Sequence, residues 1–114
     1  MSRVTQEMHE WLASALVPAR STLVHAVVFG SVAAGSSGPG DCDVVLVSAA
    51  DPNSDEWHAL RASITLLRGD FLQHFGIPLS VILLTTQEWE EMRGFFICQI
   101  RLFDHPANNA LQLT

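Results

Sequence analysis

The stretch VVFGSVAAGSSGPGDCDVVLVS, residues 27–48, joins two apolar, β-branched runs through a loop rich in glycine (Gly30, Gly35, Gly38, Gly40). The second run is entered through two aspartates with one residue between them, Asp41 and Asp43. Apolar runs of this kind read as strands buried on both faces. In a strand, residues two apart point to the same side, so Asp41 and Asp43 are expected to project together while Cys42 faces away. Two carboxylates that close repel each other, and each raises the other's cost of ionising. A divalent cation removes that cost, and hard oxygen ligands suit Mg²⁺ or Mn²⁺. A Gly-Ser turn before them lets backbone amides and a hydroxyl approach a phosphate. The competing reading is a glycine-rich hairpin loop with two solvated aspartates at its exit.

Working outward, Val4, Met8, Trp11, Leu12, Ala15 and Leu16 recur at helical spacing, and Pro18 stops the helix. LVHAVVF (23–29) is the first strand, residues 30–40 form the loop with a helical turn begun by Ser31, and DVVLVS (43–48) is the second strand. DPNSDE supplies helix-start chemistry, with Asn53 or Ser54 as cap and acids in the first turn. Trp57, Leu60, Ile64, Leu67 and Phe71 then share one helix face; Gly69 weakens the last turns, and Gly76 with Pro78 ends them. LSVILLT (79–85) is the third strand. Thr85 or Thr86 caps a last helix carrying Trp89, Met92 and the Phe95, Phe96, Ile97, Ile100 group. The order predicts an α/β (α+β) domain, a small mixed β-sheet flanked by helices, over residues 1–105, with 106–114 a loosely ordered tail.

The chain has 114 residues, enough for one core. Its apolar content of 48% indicates a globule. No apolar run reaches the roughly 18 residues of a membrane span, and the start MSRVTQEMHEWL has no basic or apolar leader character, so a cytoplasmic protein is expected. Cys42 and Cys98 lack the spacing of a zinc site or redox pair and read as free thiols. With six Lys and Arg against a net charge of -6, direct binding to DNA or RNA is not expected. A compact phosphorylated ligand held by a metal ion and backbone amides remains compatible with that charge.

F-G-S-V-A-A-G, a short linker and D-C-D-V-V-L-V resemble the signature of the nucleotidyltransferase superfamily that includes DNA polymerase β. The chain most resembles the small stand-alone minimal nucleotidyltransferases, which are often paired with a helical HEPN partner protein. The resemblance extends to chain length, helix order and the strand at 79–85, and it implies the nucleotidyltransferase fold. It further implies transfer of a nucleoside monophosphate from an NTP, with ATP the expected donor. Gly30 and Ser31 would hold the terminal phosphates, and Asp41 and Asp43 would be the catalytic metal ligands for Mg²⁺ (or Mn²⁺).

Four departures bear on activity. Ala34 stands where small members often carry arginine, the linker is about one residue short, and Gly40 replaces a common serine. Most consequential, Ser80 occupies the position of the family's third carboxylate, which binds metal and helps to deprotonate the attacking hydroxyl. Serine can add a weak metal ligand but no base. The alternative is therefore a non-catalytic nucleotide- or partner-binding module, such as the antitoxin-like partner of a HEPN-type protein. Glu88 or Glu90 is the weaker candidate for a substitute acid. The five scattered histidines lack metal-pair spacing. His25 is read as a satisfied strand side chain, and Phe95, Phe96 and Phe103 as core rather than ligand box. The adjacent apolar residues Phe95, Phe96 and Ile97 suggest a homodimer or a hetero-complex.

Overall fold

The computed structural model describes residues 3–30, 40–96 and 99–102. Helix α1 (Arg3–Ala15) runs into a 3-10 turn, Val17–Thr22, with Pro18 in its first positions. Strand β1 (Leu23–Phe29) and strand β2 (Cys42–Ser48) follow, then helix α2 (Asp55–Phe75) and strand β3 (Leu79–Thr85). Helix α3 (Thr86–Met92), a 3-10 turn Arg93–Phe95 and a short strand β4 (Ile100–Arg101) complete the described chain. The sheet order is β3-β2-β1-β4. β1 lies antiparallel to β2 and β4, while β2 and β3 run parallel through the α2 crossover. This is the small mixed sheet with flanking helices expected from the sequence.

Local chemistry sets the helix limits. Ser54, rather than Asn53, caps α2, its hydroxyl accepting from the Trp57 N–H at 3.2 Å. Asp55 and Glu56 lie at the positive end of that helix. Gly69 does not interrupt it; the helix continues to Gly76, whose φ of 75° is left-handed and whose N–H donates to the Leu72 carbonyl at 2.8 Å. Thr85 caps α3 in a reciprocal box with Glu88.

One expectation is corrected. The last helix ends at Met92 instead of carrying through Phe95 and Ile100. Past Gly94 the chain returns to the sheet, where Ile100 pairs with Val28 and Arg101 with Val27. Gly94 is a weak helix residue, and a two-residue edge strand carries too little alternation to be seen in sequence.

Strand alternation divides the core in two. Ala26, Val28, Cys42, Val44, Leu46 and Leu79 pack on one face beneath α1 and α2, with Met8, Leu12, Leu16, Leu60, Leu67 and Phe71. Phe71 is fully buried and meets the Trp11 ring edge-on at 5.5 Å. Val27, Val45, Val47 and Leu84 pack on the other face beneath Trp89 and Phe96. His25 lies on that second face beside Trp89, 5.5 Å between ring centres. Phe96 is buried there, but Phe95 is 79% exposed; Ile97, Phe103 and the 106–114 tail lie outside the described residues.

Candidate functional site

The candidate site lies at the end of the sheet where β1 ends and β2 begins. There the last residue of β1 faces the start of β2, with Phe29 paired to Asp43. The parallel register of β2 and β3 pairs Asp43 with Ser80. Neighbouring strands are about 4.8 Å apart, and paired residues share a face, so Ser80 sits next to Asp43 on the same face of the sheet. Ser80 is exposed and Asp43 half-buried. Ser80, remote in sequence, thus meets Gly30, Asp41 and Asp43 at one sheet end. Ser31 lies outside the described residues.

Asp41 precedes the strand, and Cys42 between the two aspartates is fully buried on the opposite face. The Cys42 N–H donates to the Pro78 carbonyl at 3.0 Å, which ties the entry of β2 to that of β3. Burial first, and the charges of Asp43 and Asp41 second, push the Cys42 thiol up to about 12. It is an inert core residue rather than a nucleophile.

The two carboxyl groups are close enough to hydrogen bond. The Asp43 carboxyl is raised above its usual value by burial, then by the Asp41 charge and by the hydrogen bond with Asp41. Oxygen donors crowded at a partly dry strand end are a donor set that fits Mg²⁺ or Mn²⁺. Gly30 adds a second constraint. Its φ is 75°, and a Cβ built there would lie 2.8 Å from Asp43 Oδ2. Glycine at this position both permits the turn out of β1 and leaves the carboxylate its place.

No third acid joins them: among the described residues no group of three His, Cys, Asp or Glu side chains converges. Glu88 is held at the far end of β3, where its Oε1 accepts from the Thr85 N–H at 2.9 Å. Five residues of strand separate it from Ser80, roughly 16 Å. Glu90 faces Arg93, at the start of the next 3-10 turn, at 4.0 Å. Neither joins Asp41 and Asp43.

A groove of about 470 Å³ between α1, the first 3-10 turn and α2, lined by Trp11, Leu16, Pro18, Ile64, Leu66 and Leu67 among others, lies under the other face. It contains none of the charged strand-end residues and is unrelated to their chemistry.

The carboxylate crowding should appear in stability. A raised carboxyl in the folded state means that the native protein takes up the proton before the unfolded chain does. The penalty is complete at neutral pH and vanishes as pH falls through the raised range. Because the site is partly solvated, Asp43→Asn should stabilise the cation-free protein by only about 0.5 kcal/mol at pH 7, roughly 2 °C in Tm. The gain should shrink toward pH 4, as thermal melts across that range would show.

No model of a known protein family matches the chain, and no curated protein matches it. Among solved structures, it is similar to a candidate nucleotidyltransferase of Sulfolobus solfataricus, with a TM-score of 0.55 and 16% identity over 85% of this chain and 80% of that one. A second candidate nucleotidyltransferase covers 86% of this chain and 98% of its own, at 24% identity and a TM-score of 0.47. The first likeness is one of fold: the mixed four-stranded sheet flanked by helices is the nucleotidyltransferase fold. No described helix is long and apolar enough to cross a membrane.

Proposed function

We propose that this chain, built on the nucleotidyltransferase fold, binds a nucleoside triphosphate with a divalent cation at the sheet end that carries Asp41 and Asp43. Transfer of the nucleoside monophosphate is held to a low rate. The observation that carries the reading is the Asp41–Asp43 pair beside Gly30, with Ser80 paired to Asp43 across the parallel register. Asp41 and Asp43 would hold Mg²⁺ or Mn²⁺, and the left-handed turn at Gly30 leads into the segment, beginning at Ser31, that would meet the terminal phosphates. Bound there, the cation supplies charge to the phosphates and to the departing pyrophosphate.

In the transfer the acceptor oxygen bonds to the α-phosphorus and the bond to the β-phosphate oxygen breaks. The acceptor's proton must leave in the same step. Ser80 cannot take it near neutral pH, so the proton goes to solvent. This favours a second reading of the same site, a nucleotide-binding module whose output is binding itself, as in the pairing with a HEPN-type helical protein.

The test is a thermal melt with Mg²⁺ and ATP. A ligand that binds only the folded state at ten times its Kd adds about 1.4 kcal/mol, which for a domain of this size raises Tm by roughly 5 °C. The rise should require the cation and disappear in Asp41→Asn/Asp43→Asn, which keeps side-chain volume and removes charge. A double variant that still responds to Mg²⁺ and ATP, or a natural protein that never does, would overturn the nucleotide-site reading.

A further inference from the structure

β3 is an edge strand, and its outer backbone carries a self-complementary pattern. The N–H and C=O of one strand residue point to the same side, alternating along the chain. The Pro78 carbonyl accepts from Cys42, so the even-numbered residues of β3 face β2 and Leu79, Val81, Leu83 and Thr85 face outward. At each end of that outward row one backbone group is already bonded. Arg68 Nε of α2 donates to the Leu79 carbonyl at 3.2 Å, and the Thr85 N–H donates to Glu88 Oε1 at 2.9 Å. Between them, the outward groups of Val81 and Leu83 receive no hydrogen bond from the described residues.

An exposed edge of this kind recruits another strand. From the register we infer that the occupant is a second copy of this chain, with β3 added antiparallel to β3 about a two-fold axis through Ile82. Val81 of each copy then lies opposite Leu83 of the other, and the two pairs exchange the backbone bonds that Val81 and Leu83 leave open. Ile82, 38% exposed on the second face, meets its own copy across the axis.

Charge fixes the same register. Pairing Val81 with Leu83 sets Leu79 opposite Thr85 of the second copy. That brings the guanidinium bonded to Leu79 alongside the Glu88 carboxylate bonded to Thr85, once at each end of the interface. A shift of two residues in either direction breaks both pairings and presents occupied backbone groups to open ones. Leu72 lies one helical turn from Arg68 on the same side of α2, is 48% exposed, and adds apolar surface beside the edge. The result is one continuous sheet across two copies, independent of what the carboxylates bind. It leaves Asp43 and Ser80, on the second face near the start of each strand, at the sheet surface.

The experiment measures the mass of the full chain in solution by sedimentation or light scattering. The natural protein should be dimeric at about 100 µM, and Ile82→Lys, which sets two ammonium groups on the axis, should weaken association by about 100-fold. Because Ile82 is partly exposed, this variant should keep the natural far-UV circular dichroism. In a Cys98→Ser background, Ile82→Cys should form an inter-chain disulfide under mild oxidation, since directly opposed residues have Cα atoms about 4.5–5.5 Å apart. Leu66→Cys, on the groove of the other face and 71% exposed, should not. A monomeric natural protein, a dimer that survives Ile82→Lys, or cross-linking at Leu66 in preference to Ile82 would each overturn the proposal.

Discussion

Ser80→Asp should convert slow transfer into measurable transfer, raising Mg²⁺-dependent release of pyrophosphate from ATP by about 10²–10⁴-fold, the usual contribution of a positioned general base. The position is suited to it: Ser80 is exposed and shares a face with Asp43 in the parallel register. A carboxylate there would crowd a pair whose Asp43 is already pushed toward protonation. The variant should therefore melt below the natural protein without a cation and regain more than the natural protein does when Mg²⁺ is added. Those two readouts separate causes. If the melts respond to Mg²⁺ but pyrophosphate release is unchanged, the third carboxylate binds metal without serving as base. If neither changes, Ser80 does not face the nucleotide, and the slow-transfer explanation fails.

Sequence disclosed the strand-end residues because their spacing is local. The two-residue step between Asp41 and Asp43 and the apolar runs around them survive any uncertainty in element boundaries. β1 and β3 have the bounds read from LVHAVVF and LSVILLT, and β2 begins one residue earlier, at Cys42. The role of Ser80 as neighbour to Asp43 was accessible only through family resemblance, because register between β2 and β3 is set across a long crossover helix. The 3-10 turn after Leu16 and the return of Ile100 to the sheet were not legible. Both are short, and their stability comes from tertiary contacts such as the Leu102 N–H donating to the Ala26 carbonyl at 2.8 Å. Glu88 shows the converse. As an acid near the third strand it was a reasonable substitute ligand, but the T-x-x-E spacing from Thr85 already described its capping role.

Gly30→Ala should abolish nucleotide-dependent stabilisation, and Gly76→Ala should not, although the two glycines have the same φ of 75°. Placing an L-residue in that left-handed conformation costs roughly 1–2 kcal/mol at either site. At Gly76 nothing lies within 4 Å of the added Cβ, so the conformational cost is the whole effect. At Gly30 the new carbon falls 2.8 Å from Asp43 Oδ2, and the atom that must yield is one of the two carboxylates that would hold the cation. Rotating Asp43 away relieves the clash at the expense of the oxygen geometry; keeping it in place adds an overpacking cost of about 1–3 kcal/mol. Gly30→Ala should therefore lower Tm at least as much as Gly76→Ala and, unlike it, remove the response to Mg²⁺ and ATP. Gly30→Asn supplies the remaining comparison, since asparagine tolerates left-handed φ but still carries a Cβ. It should regain part of the stability and none of the ligand response. If Gly30→Asn restored both, the constraint on Gly30 would be the turn alone, and the close approach of Asp43 would have no part in binding.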